Sequence, residues 1–151
     1  MTATRKRKWI WALLLVANLA FIWGNSLMDG SQSGQLSGGI LAWINSFLGL
    51  EEACAEFLHH LIRKAAHFTE FACLGALLTW GCGMAGHIGV NLYTLPLFGS
   101  LTAACIDETI QIYVAGRGSS LLDVWTDAAG ALTGMMLLLL GHHLCKKYKQ
   151  E

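Results

Sequence analysis

Ionisable and amide side chains recur at helical spacing in this sequence. Arg63, His67 and Glu70 are spaced i, i+4 and i+7, which places them on one face of a helix. Histidines and carboxylates exchange protons in catalysis, arginines bind phosphate, and carboxylates bind divalent cations. Together with these three residues, the following form what we call the polar set: Lys64, Asp107, Glu108, Gln111, Arg117, Asp123 and Asp127.

The polar set carries an uncompensated charge. With His67 neutral, its formal net charge is −2. Because unpaired carboxylates are costly in a medium of low dielectric constant, we expect the excess to be balanced in one of three ways. Protons, a bound divalent cation or a cationic group of a ligand would each do so. The alternative is a structural role, in which the polar set is an ion-pair network that holds helices together.

Composition indicates that these residues belong to a membrane protein. The chain has 151 residues, of which 54% are apolar and only 13% are charged, and its mean hydropathy is +0.49. A soluble domain has roughly 25% charged residues. The length suits one domain, 1–151. Equal numbers of acidic and basic residues exclude a nucleic-acid binder of overall basic character, so we expect no nucleic-acid partner.

Four stretches are long and apolar enough to be predicted as transmembrane helices, about 20 residues each. The second and third are read as a hairpin, because an uncharged run too long for one crossing contains a cluster of glycines between residues 81 and 89. Pro96 is expected to bend the third. The predicted spans are 9–28, 64–84, 88–108 and 121–144.

The segment between the first two spans has a different pattern. Residues 29–39, DGSQSGQLSGG, are typical of a loop. Apolar stripes then follow within 40–48 and 54–62, with His59 and His60 on the polar side of the second. An interfacial or re-entrant helical pair and ordinary packing under a loop both fit. The predicted fold is an all-α integral membrane protein with four transmembrane helices and an extracytoplasmic amphipathic or re-entrant segment.

Basic residues at the two ends of the chain predict its orientation. Arg5 to Lys8 precede the first span, and Lys146, Lys147 and Lys149 follow the last. The positive-inside rule places both termini in the cytoplasm and the whole polar set at the extracytoplasmic end. A cleaved signal peptide ending near Gly24-Asn25-Ser26 is the alternative for the first span.

Other residues are expected to serve structure. Gly130 and Gly134 form a G-x-x-x-G pattern, which predicts close helix packing. His142 and His143 are expected at the cytoplasmic interface. We expect the cysteines to be small apolar residues, neither disulfides nor ligands: Cys54, Cys73, Cys82, Cys105 and Cys145. The sequence has no nucleophile-elbow or phosphate-binding-loop motif.

Two runs, RKAAHFTEFACLGALL and DETIQIYVAGRGSSLLDVWTDAAGALTG, resemble the VanZ-like family of small bacterial membrane proteins. The run NSLMDGSQSGQLSGG is similar to the serine-rich segment that the family carries after its first span. Phe71 stands where the family commonly has Tyr, and Asp127 where it commonly has Asn, which adds a negative charge. The matching positions are Lys64, His67, Phe68, Glu70 and Phe71; Asp107, Glu108, Gln111, Tyr113 and Arg117; and Asp123, Asp127, Gly130 and Gly134.

The resemblance implies a protein of the bacterial cytoplasmic membrane. The founding member of the family is associated with low-level resistance to the glycopeptide teicoplanin, and its molecular activity is not settled. The family's polar residues resemble those of membrane enzymes that act on lipid head groups or lipid-linked cell-wall precursors, which is an argument by analogy.

The leading hypothesis is therefore an enzyme acting on a phosphate-linked lipid head group. In this hypothesis the catalytic residues are His67, Glu70, Asp107, Glu108 and Gln111. The substrate-binding residues are Arg63, Lys64, Arg117, Asp123 and Asp127, and the candidate ligands of a divalent cation are Glu108, Asp123 and Asp127. The alternatives are a non-catalytic protein that binds a lipid head group or a glycopeptide, or alters antibiotic access, and, third, a small transporter.

Overall fold

The structure, a computed structural model, describes residues 3–148 apart from the side chains of Ala3, Gln32, Ser33 and Leu36. Lys149, part of the basic C-terminal cluster, lies outside the described residues. Within them the chain forms five α-helices and no strand. They are α1 (Ala3–Leu27), α2 (Gly30–Leu48), α3 (Glu52–Met84), α4 (Asn91–Ile112) and α5 (Leu121–Tyr148). Helix α3 is central, because it contacts each of the other four helices.

Helices α3 and α5 pack backbone against backbone, and their contact is the most extensive in the fold. A methyl group at Gly130 would overlap the carbonyl group of Phe68, and one at Gly134 would overlap that of Ala72. Gly75 of α3 is pressed in the same way against α5. The predicted role of the G-x-x-x-G pattern in close helix packing is confirmed.

Helix α1 is packed into the fold through the indole groups of Trp11 and Trp23 and the side chain of Ile22. Trp11 donates a hydrogen bond from Nε1 to the carbonyl oxygen of Leu77 at 2.8 Å, and Trp23 donates to that of Ala103 at 3.4 Å. Ile22 is fully buried in the core. Under the signal-peptide alternative, cleavage would remove this helix and expose the core behind it.

The structure exposes many large apolar side chains and buries several acids and amides beside its apolar core. Along α1 and α5, Leu13, Val16 and Leu137 are each more than 60% exposed, while the buried interior includes acids and amides such as Asp107 and Gln111. Exposed apolar surface of this extent is typical of contact with lipid. It indicates a membrane protein, as the composition predicts.

Helices α1 and α5 are the two described helices that are long and apolar enough to cross a bilayer. Helices α3 and α4 do not meet the same criterion within residues 3–148, so the four-span topology stays a prediction. At 33 residues, α3 is about 50 Å long. Because the hydrocarbon core of a bilayer is about 30 Å thick, part of α3 would extend beyond it in any spanning arrangement.

The prediction of a loop at residues 29–39 is wrong, because this segment lies within or next to α2. Glycine and serine lower helix propensity by up to about 1 kcal/mol per residue, which the internal hydrogen bonds of a helix offset where water is scarce. The start of α2 is fixed by the N–H of Gly30, which donates to the carbonyl oxygen of Ala115 at 3.0 Å. Gly30 also lies against Gly116, whose φ is 72°.

Helix α3 begins at Glu52, before the start of the predicted second span at residue 64, and the bounds of that span stay a prediction. The stretch 54–62 is the first part of α3, because neither glycine nor proline interrupts residues 52–74. His59, expected at the surface, is half-buried and lies 2.6 Å from the hydroxyl of Ser37 on α2. The predicted hairpin turn is confirmed at residues 85–90, and α4 continues through the buried Pro96 as far as Ile112.

The predicted orientation can be tested by cysteine labelling in a variant that lacks the five native cysteines. We expect Ser119→Cys, in the loop before α5, to react with an impermeant maleimide added outside intact cells. Gln150→Cys, which lies outside the described residues, should react only after permeabilisation, because the basic ends are expected in the cytoplasm. Labelling of both positions from the same side would contradict the four-span arrangement.

Close packing of α3 and α5 predicts a large effect of Gly130→Leu. The new side chain would meet the backbone of Phe68, so the free energy of unfolding should fall by about 3 kcal/mol or more. The matched control is Gly141→Leu on the same helix, where nothing lies within 4 Å of the new atom. That control should be neutral or stabilise by up to about 1 kcal/mol. Equal effects of the two, measured by unfolding in mixed micelles, would contradict the packing.

Candidate functional site

The polar set is gathered where the middle of α3 meets the end of α4 and the start of α5. Asp107 and Asp127 are fully buried, and Glu108 and Gln111 are 5% and 3% exposed. The side chain of His67 is 19% exposed. The helical spacing that predicts a common face on α3 therefore directs His67 towards acids from two other helices.

Asp107 is held by neutral hydrogen-bond donors. The hydroxyl of Ser26, at the end of α1, donates to Oδ1 of Asp107 at 2.6 Å. Nε2 of Gln111, one turn further along α4, donates to Oδ2 at 2.9 Å. Ser26 is itself fully buried. These two bonds hold Asp107 in one orientation and fasten the end of α1 to α4.

His67, Asp107 and Asp127 form a compact group that we call the buried trio. Nδ1 of His67 lies 3.9 Å from Oδ2 of Asp107 and 3.9 Å from Oδ1 of Asp127. These separations are too long for hydrogen bonds. Among the described residues, neither His67 Nδ1 nor either carboxylate oxygen of Asp127 has a hydrogen-bond partner, although all three atoms are buried. One potential ligand atom from each residue lies within 4.8 Å of the other two.

Glu108 links α4 to the start of α5. Its Oε2 accepts a hydrogen bond from the backbone N–H of Ser120 at 2.7 Å, and its Oε1 accepts from Gln111 Nε2 at 3.4 Å. The Ser120 hydroxyl accepts from the N–H of Leu122 at the first turn of α5. Because both oxygens of Glu108 have partners, this residue anchors the helix start.

Lys64 and Asp123 form a partly exposed ion pair on the outer side of the site, with Nζ and Oδ1 2.7 Å apart. The three residues predicted from the sequence to bind a divalent cation, Glu108, Asp123 and Asp127, therefore do not form one group. Asp123 is paired with Lys64, and Asp127 lies among the buried trio. Within residues 3–148 no other Lys or Arg lies within 4 Å of a carboxylate, so the buried part of the polar set is not an ion-pair network.

Arg117 donates hydrogen bonds to the backbone at the end of α1. Its Nη2 donates to the carbonyl oxygen of Asn25 at 2.6 Å, and its Nε donates to that of Met28 at 3.1 Å. Burial and the neighbouring guanidinium of Arg63 lower the pKa of Arg117 below its ordinary value. Arg117 therefore has a structural role that the sequence does not indicate, and it shares its surroundings with a second positive charge.

Glu70 faces the same region from α3. Its Oε1 accepts a hydrogen bond from Nδ2 of Asn25 at 2.9 Å. Its Oε2 is buried and has no hydrogen-bond partner among the described residues. One oxygen is thus positioned by α1, and the other is free to interact with a ligand.

Two cavities meet at His67 and Arg63. The first cavity has a volume of about 470 Å³ and is lined by residues of α1, α2 and α3 together with Met28 and Arg117. The inner cavity, about 230 Å³, is lined by both residues and by Asp127 and Gln111. A larger cavity of about 680 Å³ lies between the first turns of α1 and the last turns of α5, and none of the described residues that line it is a carboxylate.

The sequence alone does not identify three residues that shape the site. Ser26 holds Asp107, Asn25 holds Glu70, and the N–H of Ser120 holds Glu108. Asn25 and Ser26 are adjacent small polar residues at the end of an uncharged first span. That position is the signal in the sequence that could have identified them.

Comparison with protein-family models gives a match to the model described as VanZ/LLP1 over residues 9–142. The matched range contains every member of the polar set and also Asn25 and Ser26 of α1, which bind the side chains of Glu70 and Asp107. Comparisons with curated proteins and with solved structures give no significant match.

Proposed function

The chain belongs to the VanZ/LLP1 family, and from its site we propose that it binds and acts on a phosphate-linked lipid head group. The 470 Å³ cavity, which we call the head-group cavity, is the observation on which this proposal depends. Arg63, Arg117 and Glu70 line it together with the apolar side chains of Phe21 and Ile40. A charged end beside an apolar wall matches a ligand with an anionic head and a hydrocarbon chain.

Two arginines in one cavity favour an anion. Arg63 forms no hydrogen bond or ion pair within the described part of the chain, and its charge disfavours the protonated state of Arg117. A phosphate group between the two guanidinium groups would relieve their repulsion. It would also use the planar donor geometry that makes arginine the preferred partner of phosphate oxygens.

Glu70 is the residue that we propose for proton transfer. In hydrolysis of the head-group phosphoester, its Oε2 would take a proton from the attacking water. The bond between phosphorus and the leaving oxygen would then break, and the proton would pass to that oxygen. The sequence predicts His67 for this role, but an Asp–His dyad requires a hydrogen bond from Nδ1, and 3.9 Å to either carboxylate is too long.

The second candidate function is non-catalytic binding of the same head group. The lack of a hydrogen bond between His67 and either Asp107 or Asp127 favours this function. Glycopeptide binding and a link to teicoplanin resistance remain hypotheses from the family. The extracytoplasmic position of the cavity and the four spans belong to the proposal as well. Transport is the weakest hypothesis, because the acids lie together at one end of the helices.

Arg63→Ala tests the proposal with Lys64→Ala as its matched control. The two residues are adjacent and equally charged, but Lys64 is paired with Asp123 and does not line the head-group cavity. We expect Arg63→Ala to weaken binding of undecaprenyl phosphate at least about tenfold, because a hydrogen bond to a charged group contributes about 1.5–3 kcal/mol. Lys64→Ala should bind as the unsubstituted protein does.

Binding is measured with protein in nanodiscs, with undecaprenol as the uncharged lipid control. Release of inorganic phosphate from the bound lipid would identify an enzyme, and its absence with intact binding would identify the binding function. Equal affinity for undecaprenyl phosphate and undecaprenol, or equal loss in the two variants, would contradict the proposed head-group site.

A further inference from the structure

We propose that the buried trio, His67, Asp107 and Asp127, binds a divalent transition-metal ion of the zinc class. The three residues come from α3, α4 and α5, so one ion would join the three helices at a single point. This metal site does not depend on the lipid proposal, because its ligands are separate from the arginines of the head-group cavity.

Two of the three spacings between the ligand atoms fit such an ion, and the third, between the two carboxylates, is within 4.8 Å. Zinc binds histidine nitrogen and carboxylate oxygen at roughly 2.0–2.2 Å, so its ligand atoms lie roughly 3–4 Å from one another. Nδ1 of His67 is 3.9 Å from an oxygen of Asp107 and 3.9 Å from an oxygen of Asp127. That separation is too long for direct hydrogen bonds and falls within the range of ligands that share an ion.

Two of the three residues, Asp127 and His67, offer ligand atoms that lack other partners among the described residues. Asp127 is fully buried, and neither of its oxygens accepts a hydrogen bond from any described residue. Nδ1 of His67 is buried and unpartnered in the same way. Burial of a carboxylate with nothing to compensate it is costly, and a cation between Asp107 and Asp127 would remove this cost.

A divalent ion would also balance the formal charge of the site. Lys64 and Asp123 neutralise each other at the outer side of the site. The acids that remain are Glu70, Asp107, Glu108 and Asp127, and the remaining basic residues are Arg63 and Arg117. Their formal net charge is −2 with His67 neutral, which one divalent cation balances.

The surroundings of Asp107 resemble the supporting shell of a metal ligand. Its oxygens accept hydrogen bonds from Ser26 at 2.6 Å and from Gln111 at 2.9 Å. Such bonds orient ligating carboxylates in metal sites. Oδ2 of Asp107 retains a second lone pair, which is the one directed to the ion in this arrangement.

The ligand set determines the class of metal. Magnesium and calcium prefer ligand sets made of oxygen atoms, whereas a histidine nitrogen with two carboxylates suits zinc. Three protein ligands leave one position of a tetrahedral ion open. The inner cavity, lined by His67 and Asp127, provides the route of entry and the space for a fourth ligand.

Two matched variants on α5, one turn apart, test the site. Asp127→Asn removes a charged ligand, and Asp123→Asn makes the same chemical change at a residue paired with Lys64. The proteins are treated with a chelator in detergent, and Zn²⁺ alone is then added. We expect the unsubstituted protein to bind one more zinc ion per chain than the Asp127→Asn variant. Asp123→Asn should match the unsubstituted protein, and His67→Ala should match Asp127→Asn.

Metal content is measured by mass spectrometry, and the affinity by competition with a zinc indicator. Zinc on surface histidines contributes equally to all variants and cancels in the comparison. Unfolding temperature adds a second measurement, because zinc should raise it for the unsubstituted protein and for Asp123→Asn but not for Asp127→Asn. Without metal, Asp127→Asn should unfold at the same or a higher temperature, since it removes a buried charge and keeps the side-chain shape.

No difference in zinc content between Asp127→Asn and Asp123→Asn would overturn the proposal and leave protons as the balancing charge. Tighter binding of Mg²⁺ than of Zn²⁺ would overturn the assigned metal class. Either result leaves lipid binding by Arg63 intact, so failure of the metal site and failure of the proposed function are distinguishable.

Discussion

Two carboxylates, Asp107 and Asp127, are fully buried where α3, α4 and α5 meet, and the remaining structure accommodates their charge. Buried charges require hydrogen bonds, opposite charges or protons. Asp107 obtains hydrogen bonds from α1 and from its own helix, whereas Asp127 obtains none among the described residues. This difference explains why the end of α1 is drawn to one acid and why an ion is proposed beside the other.

The same constraint links packing to function. Helices α3 and α5 approach closely through Gly130 and Gly134, and this approach brings His67 towards Asp127. The α4–α5 loop then returns to α1, where Arg117 binds two carbonyl oxygens. Helix α1 thereby becomes one wall of the head-group cavity. Removal of the first span as a leader would take Asn25 and Ser26 away from the site.

Helical periodicity was sufficient to predict that the polar residues of α3 share a face, because spacing of i, i+4 and i+7 determines direction. It could not decide between Asp123 and Asp127, which are also four residues apart. Packing of α5 turns Asp127 inwards, while Asp123 pairs with Lys64. The sequence does not predict helix α2, because its first half is rich in glycine and serine. The start of this helix is fixed by contact with Gly116, which local residue preferences do not reveal. The hydrogen bonds of Ser26 depend on tertiary contact between residues 81 positions apart, which local patterns do not encode.

The central claim, that α1 is joined to a buried acid of α4, is tested most directly by a double-mutant cycle on the free energy of unfolding. The cycle combines Ser26→Ala with Asp107→Ala. The control cycle combines Asp107→Ala with Ser46→Ala, because the exposed hydroxyl of Ser46 donates to the carbonyl oxygen of Trp43 in its own helix turn. We expect a coupling of about 1.5–3 kcal/mol for Ser26 with Asp107, because the acceptor is charged and buried. The control pair should be additive within about 0.5 kcal/mol. Additivity of Ser26→Ala and Asp107→Ala within that same limit would contradict the account.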